Sequence, residues 1–189
     1  GTSMEQHEFI FAGFGGQGVL FTGQMLAYAA MDAGKHVTWI PSYGPEMRGG
    51  TANCTVILSD EEIGAPVVRH PGFAVVFNGP SFDKYEPVVK PGGLLVVNST
   101  LIEHTSSRTD VEALYVPATE AAEKVGNIKL VNMVLLGATL GARPILPLEA
   151  IFSAMQRHLP ESRHSMIEIN RQALTRGAEL AASLHAISK

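Results

Sequence analysis

The sequence is poor in cysteine, in charge and in long apolar runs. Its only cysteine is Cys54, so no disulfide can form within the chain. One thiol also cannot supply the four ligands of an iron–sulfur cluster. Charged residues make up 17% of the 189 positions, against a usual ~25%, so part of the surface is expected to be covered by a partner. No basic run occurs and the net charge is −4, which argues against nucleic acid. No apolar stretch approaches the ~20 residues that span a bilayer. The seven histidines (His7, His36, His70, His104, His158, His164 and His185) never fall at H-x-x-x-H spacing or pair with Cys54, so no metal site is expected. There is no G-x-S-x-G nucleophile elbow and no G-x-x-x-x-G-K-[ST] phosphate loop. Gly1 to Ser3, ahead of Met4, read as an expression scar, and nothing after Met4 reads as a signal peptide. A cytoplasmic protein is expected.

What is present is a 46% hydrophobic chain of single-domain length, enough to bury roughly 70% of its unfolded surface. The stretch Phe9 to Gly18 reads F-I-F-A-G-F-G-G-Q-G. Gly13, Gly15 and Gly18 hold G-x-G-x-x-G spacing, with Gly16 and Gln17 between them. Glycine permits positive φ and close approach, and the following helix N-terminus favours negative charge. A phosphate contact and a plain strand-to-helix corner both fit this spacing.

Consecutive apolar residues predict strands at Glu8–Ala12, His36–Ile40, Ala52–Leu58, Phe73–Asn78, Leu94–Asn98 and Glu112–Val116. Helices are expected over Gly16–Ala33, Ser81–Tyr85, Glu120–Val125, Leu130–Leu140, Pro147–His158 and from Ser165 to about Leu184. Ser81, Thr119 and a Ser165/Glu168 capping box are the expected caps, and Pro147 a first-turn residue. The first strand, helix and second strand occupy about 33 residues, the size of one βαβ unit. The third strand can run antiparallel, because no helix separates it from the second. The fold expected is α/β: a three-layer Rossmann-like arrangement with a mostly parallel sheet. One domain spans 1–189, with helices from 145 onward packed on it.

A nicotinamide site would place an acid after the second strand, to hold the ribose hydroxyls. Ile40, Pro41 and Ser42 stand there instead. A loop follows, P-S-Y-G-P-E-M-R-G-G-T, too rich in proline and glycine for a helix. It offers Glu46 and Arg48 amid Tyr43, Met47, Gly49 and Gly50. Its place after a strand is where open α/β sheets bind ligands. Asn132 is the polar exception in an otherwise apolar helix, and reads equally as a satisfied buried amide or a functional group.

Together, G-F-G-G-Q-G at Gly13–Gly18 and S-Y-G-P-E-M-R-G-G at Ser42–Gly50 resemble the gamma subunit, or gamma domain, of the 2-oxoacid:ferredoxin oxidoreductases. That family includes the pyruvate, 2-ketoisovalerate and 2-oxoglutarate enzymes. The resemblance runs from about Phe9 to Gly177 and includes T-A-N-C-T-V-I-L, the N-G-P turn and the N-M-V-L-L-G helix. It implies a subunit that is inactive alone, within a complex that turns a 2-oxoacid into acyl-coenzyme A. Thiamine diphosphate with Mg and the iron–sulfur clusters would then sit on sister subunits, and this chain would bind none of them itself. Alpha, beta and ferredoxin-like delta subunits are the implied partners, and ferredoxin the electron acceptor. Self-association of the isolated chain stays open. Gly13, Gly15, Gly16, Gln17 and Gly18 become a phosphate or interface loop, with Tyr43, Gly49, Gly50 and Asn132 as further contacts. Glu46 and Arg48 are the only catalytic candidates. The competing readings are a free-standing dinucleotide-binding oxidoreductase and a purely structural docking subunit.

Overall fold

A computed structural model of the chain describes residues 6–42 and 51–188. Six strands form one sheet: β1 (Gln6–Phe14), β2 (His36–Ser42), β3 (Thr51–Ser59), β4 (Phe73–Val76), β5 (Leu94–Asn98) and β6 (Glu112–Val116). Their spatial order is β2-β3-β1-β4-β5-β6. β1, β4, β5 and β6 are mutually parallel, while β3 runs antiparallel to both of its neighbours. The expected antiparallel third strand is thus present.

The expected βαβ unit is present with a strand inserted: β1 and β2 are parallel, both being antiparallel to β3, and the helix over 19–32 joins them, but β3 lies between them and puts β2 at the sheet edge. Only residues 43–50 separate β2 from β3, too short a span for a parallel crossover, so β3 pairs back antiparallel and fills the place beside β1. Pro41, which has no backbone N–H, is tolerated because β2 is an edge strand.

Alternation along β1 builds two cores. Phe9 and Phe11 face one side, with Val75, Val96, Cys54 and Val56. Ile10 and Ala12 face the other, with Ala74, Val76, Leu95 and Val97. The first side is covered by α1 (Val19–Asp32), α3 (Ala118–Val125), α4 (Val131–Ala142), α5 (Leu148–His158) and α6 (Ile167–Ser188). The second carries α2 (Gly79–Tyr85), through Phe82 and Tyr85, with Val89 and Ile102 beside it. Three layers result. Arg108 straps the loop over this second side: its Nη1 donates to the carbonyls of Glu86 at 3.0 Å and Val89 at 2.7 Å. Its fork also holds Asp110 at 2.9 and 2.8 Å, and keeps that carboxyl below the usual carboxylate range.

α4 is buried from Val131 to Leu140 because it lies between the sheet layer and α6. That is why its sequence is apolar all round. α6 crosses it at glycines. A Cβ added to Gly177 would run into the Val134 carbonyl, and one at Gly137 into the Leu174 carbonyl. α5 packs on α1.

Several helix starts differ from expectation. α1 begins at Val19 and not Gly16, because Gly16 and Gly18 hold φ of 88° and 76°, which no right-handed helix accepts. Asn78, not Ser81, caps α2: its side chain accepts the Ser81 N–H at 2.9 Å. The α3 cap comes from another strand, where Asn98 Oδ1 accepts the Ala118 N–H at 3.2 Å and the Thr119 N–H at 3.4 Å. Thr119 is spent on Asn98 Nδ2 at 3.0 Å. Pro147 stands at the N-cap of α5 rather than in its first turn. Ser165 lies inside a 3-10 turn, Glu161–Met166, that leads into α6, so no capping box forms there.

Candidate functional site at the carboxyl end of the sheet

The glycine turn connects β1 to α1. It is built inward from its two ends. Gly13 is buried, and a Cβ there would meet Phe77 Cβ and Gln17 Oε1, each at 2.6 Å. Gln17 folds back so that its Oε1 accepts the Phe14 N–H at 2.6 Å. Gly18 is the N-cap of α1 in the left-handed region. Its carbonyl accepts the Thr22 N–H at 3.0 Å, the Thr22 hydroxyl at 2.8 Å and the Asn132 side-chain amide at 3.2 Å. A Cβ on Gly18 would lie 2.6 Å from Asn132 Nδ2. Asn132 is therefore a satisfied, buried amide whose work is to hold the turn.

Gly15 and Gly16 behave differently. Both are exposed, and a Cβ at either would meet nothing within 4 Å. A larger residue at Gly16 would collide with nothing among the described residues. The close approaches belong to Gly13 and Gly18, and the outer face of the turn is open. Among the described residues no side chain caps α1, and no acid occupies its first turn, so its first N–H groups are left for another acceptor.

Beside the turn lies a cleft of about 360 Å³. Gly16, Gly18 and Phe21 form one wall, Lys129 and Asn132 a second, and Arg163 and Asn170 the third. The Arg163 guanidinium sits 5.5 Å above the Phe21 ring. Lys129 enters no hydrogen bond or ion pair through its ammonium among the described residues. Sequence reading missed both cations. They come from separate segments with no local motif, and only the fold brings them beside the glycines. Phe14, Ile128 and Met166, exposed at 41%, 52% and 44%, stand around the same region.

Tyr43, Glu46, Arg48, Gly49 and Gly50 lie outside the described residues. The two ends of their segment are placed. Ser42 pairs with Asn53, and Thr51 pairs with Phe14, the last residue of β1. The segment therefore leaves and returns at the end of the sheet that carries the glycine turn. Ile40–Ser42, where a dinucleotide site needs its acid, belong to an edge strand set one strand away from β1.

Just after β4, Asn78 Nδ2 and Ser81 Oγ are buried and make no hydrogen bond among the described residues. Cys54 is not a nucleophile. It is fully buried, and burial pushes its thiol up to about 12. Its Sγ donates to the Val19 carbonyl at 3.6 Å. The Trp39 indole N–H faces this sulfur, a weak acceptor, and has no oxygen partner. Among the described residues no cluster of three or more His, Cys, Asp or Glu can hold a metal ion, and no helix is long and apolar enough to cross a membrane.

Comparison with known proteins places this geometry. The profile of the family described as pyruvate ferredoxin/flavodoxin oxidoreductase matches residues 8–180. Ketoisovalerate oxidoreductase subunit VorA of Methanothermobacter thermautotrophicus is 39% identical over 170 residues, covering 90% of this chain and 35% of VorA. The chain thus spans about a third of the length of that relative. The 2-oxoglutarate synthase subunit KorC of Methanothermobacter marburgensis is 35% identical over 180 residues, covering 92% of this chain and 95% of KorC. Among solved structures, the gamma subunit of a keto/oxoacid ferredoxin oxidoreductase from Geobacter sulfurreducens superposes with a TM-score of 0.80 at 31% identity. It covers 94% of this chain and 99% of that one.

Proposed function

The chain belongs to the pyruvate ferredoxin/flavodoxin oxidoreductase family, and on that premise we propose that it is the gamma subunit of a 2-oxoacid:ferredoxin oxidoreductase complex. The complex converts a 2-oxoacid and coenzyme A into acyl-coenzyme A and carbon dioxide. The two electrons released pass to ferredoxin. This chain supplies an edge for assembly and ligand binding, not the redox centre. Thiamine diphosphate with Mg and the iron–sulfur clusters belong to alpha, beta and delta partners, since a single buried thiol cannot ligate a cluster. The setting is the cytoplasm.

One observation carries the reading. The outer face of Gly15 and Gly16 is open, lies over an uncapped helix start, and adjoins a cleft with Lys129 and Arg163 on its walls. Such a surface suits the phosphate groups of coenzyme A, bound by N–H groups and cations together. Exposed Phe14, Ile128 and Met166 suit the surrounding contact with sister subunits. From the segment between Ser42 and Thr51, we likewise assign Arg48 to a carboxylate or phosphate, Glu46 to orienting Arg48 or pairing across the subunit interface, and Tyr43, Gly49 and Gly50 to further contacts.

The test is a complex reconstituted with Lys129→Ala, Arg163→Ala or Arg48→Ala subunits. Loss of one charged contact is expected to raise the KM for coenzyme A about tenfold while assembly persists. Unchanged KM and unchanged turnover in all three variants would remove the phosphate role and leave a docking role alone.

A further inference from the structure

A second cavity lies away from the glycine turn. It has a volume of about 430 Å³ and lies at the opposite, amino end of the parallel strands. From His7, on its wall, to Gly13 the strand runs roughly 20 Å. The size falls within the ordinary range for small-molecule sites.

Its floor is backbone held in place. The Gly93 N–H donates to the Lys90 carbonyl at 2.8 Å, the Leu94 N–H to Gly72 at 2.8 Å, and the Gly92 N–H to Asp110 at 2.6 Å. A Cβ at Gly93 would lie 2.7 Å from the Gly72 carbonyl and 2.8 Å from that of Lys90, so the two turns are pinched together. Two cations reach this floor from separate segments. Arg143 donates one Nη2 hydrogen bond to the Gly92 carbonyl at 3.2 Å. It also forms an ion pair with Glu112 at 3.7 Å, a separation beyond hydrogen-bond length. Donors of its fork are left over. Lys90, exposed, has no ion pair or hydrogen bond through its ammonium among the described residues. His70 is anchored through Nδ1 to the Val88 carbonyl at 3.3 Å. One acid, Glu8, stands on the wall; it accepts from the neutral Gln6 amide at 3.1 Å, which does not offset its charge, and the two cations outnumber it.

We propose that this cavity is a second binding site, for a compact oxyanion of the phosphate or carboxylate class, held between Lys90 and Arg143. It is separate from the carboxyl edge that serves coenzyme A and the sister subunits. A ligand there bridges the β4–β5 side of the sheet to the segment after α4.

Nitrogen-15 NMR of the full chain tests this, with inorganic phosphate and succinate titrated separately at constant ionic strength. The Gly72, Gly92 and Gly93 amides are expected to shift saturably with at least one anion, and the anion that does so fixes the class. Lys90→Ala and Arg143→Lys are each expected to weaken that binding about tenfold. Spectral dispersion reports whether each variant folds. If Arg143→Lys does not, the exposed Lys90→Ala decides. Shifts confined to Gly15–Gly18, shifts that never saturate, or an affinity unchanged by Lys90→Ala would overturn the proposal.

Discussion

Asn132 donates to the carbonyl of Gly18 across 3.2 Å, joining residues 114 positions apart in sequence. This bond ties the start of α4 to the start of α1, and the glycine turn is fixed between them. Removing it by Asn132→Leu leaves a carbonyl still served by Thr22. The expected loss is therefore about 1–2 kcal/mol, measured by urea denaturation. Gly18→Ala should cost more, because the left-handed φ and the collision with Asn132 add together. Equal stability of Gly18→Ala and wild type would mean the turn is not held as described.

Gly15 separates folding from function. A Cβ there touches nothing, and its φ is not positive. Gly15→Ala should fold with wild-type stability, within about 0.5 kcal/mol. Gly16→Ala carries a φ of 88° and should lose about 1–2 kcal/mol. If the open face meets a ligand or a sister subunit closely, Gly15→Ala will impair the complex while leaving the free chain intact. Full activity of a Gly15→Ala complex would show that nothing approaches that face.

Cys54 makes the chain sensitive to alkali. Its folded thiol is pushed up to about 12, from 9.0 in an unperturbed thiol. Below pH 9 both folded and unfolded forms keep the proton, and stability does not depend on it. Above pH 9 the unfolded form loses the proton first, so stability falls as pH rises toward 12, by up to roughly 1.4 kcal/mol per unit. Cys54→Ala should flatten this slope in denaturation curves taken from pH 8.5 to 10.5. The native thiol should also react with a disulfide reagent only at the rate of unfolding.

The α4–α6 crossing depends on glycine at both helices. Gly177→Ala would drive a methyl into the Val134 carbonyl, against backbone that cannot rotate away. A loss of about 1–3 kcal/mol is expected, read from the urea midpoint. Gly64→Ala, where a Cβ meets nothing, serves as the control.

The strands were the most legible part of the sequence. Leu94–Asn98 appears with the bounds its apolar run predicts, since a strand covered on both faces leaves an uninterrupted signal, and the half-buried edge strand Glu112–Val116 also keeps its expected bounds. Sheet order was not legible. The β1–helix–β2 crossover was legible from its spacing, but the placing of β3 between the two strands depends on long-range pairing that the spacing does not report. Caps misled for the same reason: Asn98 reaches α3 from 20 residues upstream, while scanning finds only neighbours. The glycine turn was found from its spacing, but the spacing does not tell inward glycines, Gly13 and Gly18, from outward ones, Gly15 and Gly16. Lys129 and Arg163 carried no signal, because what makes them a pair is the packing of α4 and the turn before α6 around α1.

The central claim is that this chain works as one subunit of a 2-oxoacid oxidoreductase. Affinity isolation of the native chain from its own cells tests it most directly, with mass spectrometry of the chains that come with it and an assay of acceptor reduction. Stoichiometric partners with thiamine diphosphate and cysteine-rich cluster motifs are expected, with acceptor reduction that requires both a 2-oxoacid and coenzyme A. A chain recovered alone, or with partners that give no such activity, would contradict it.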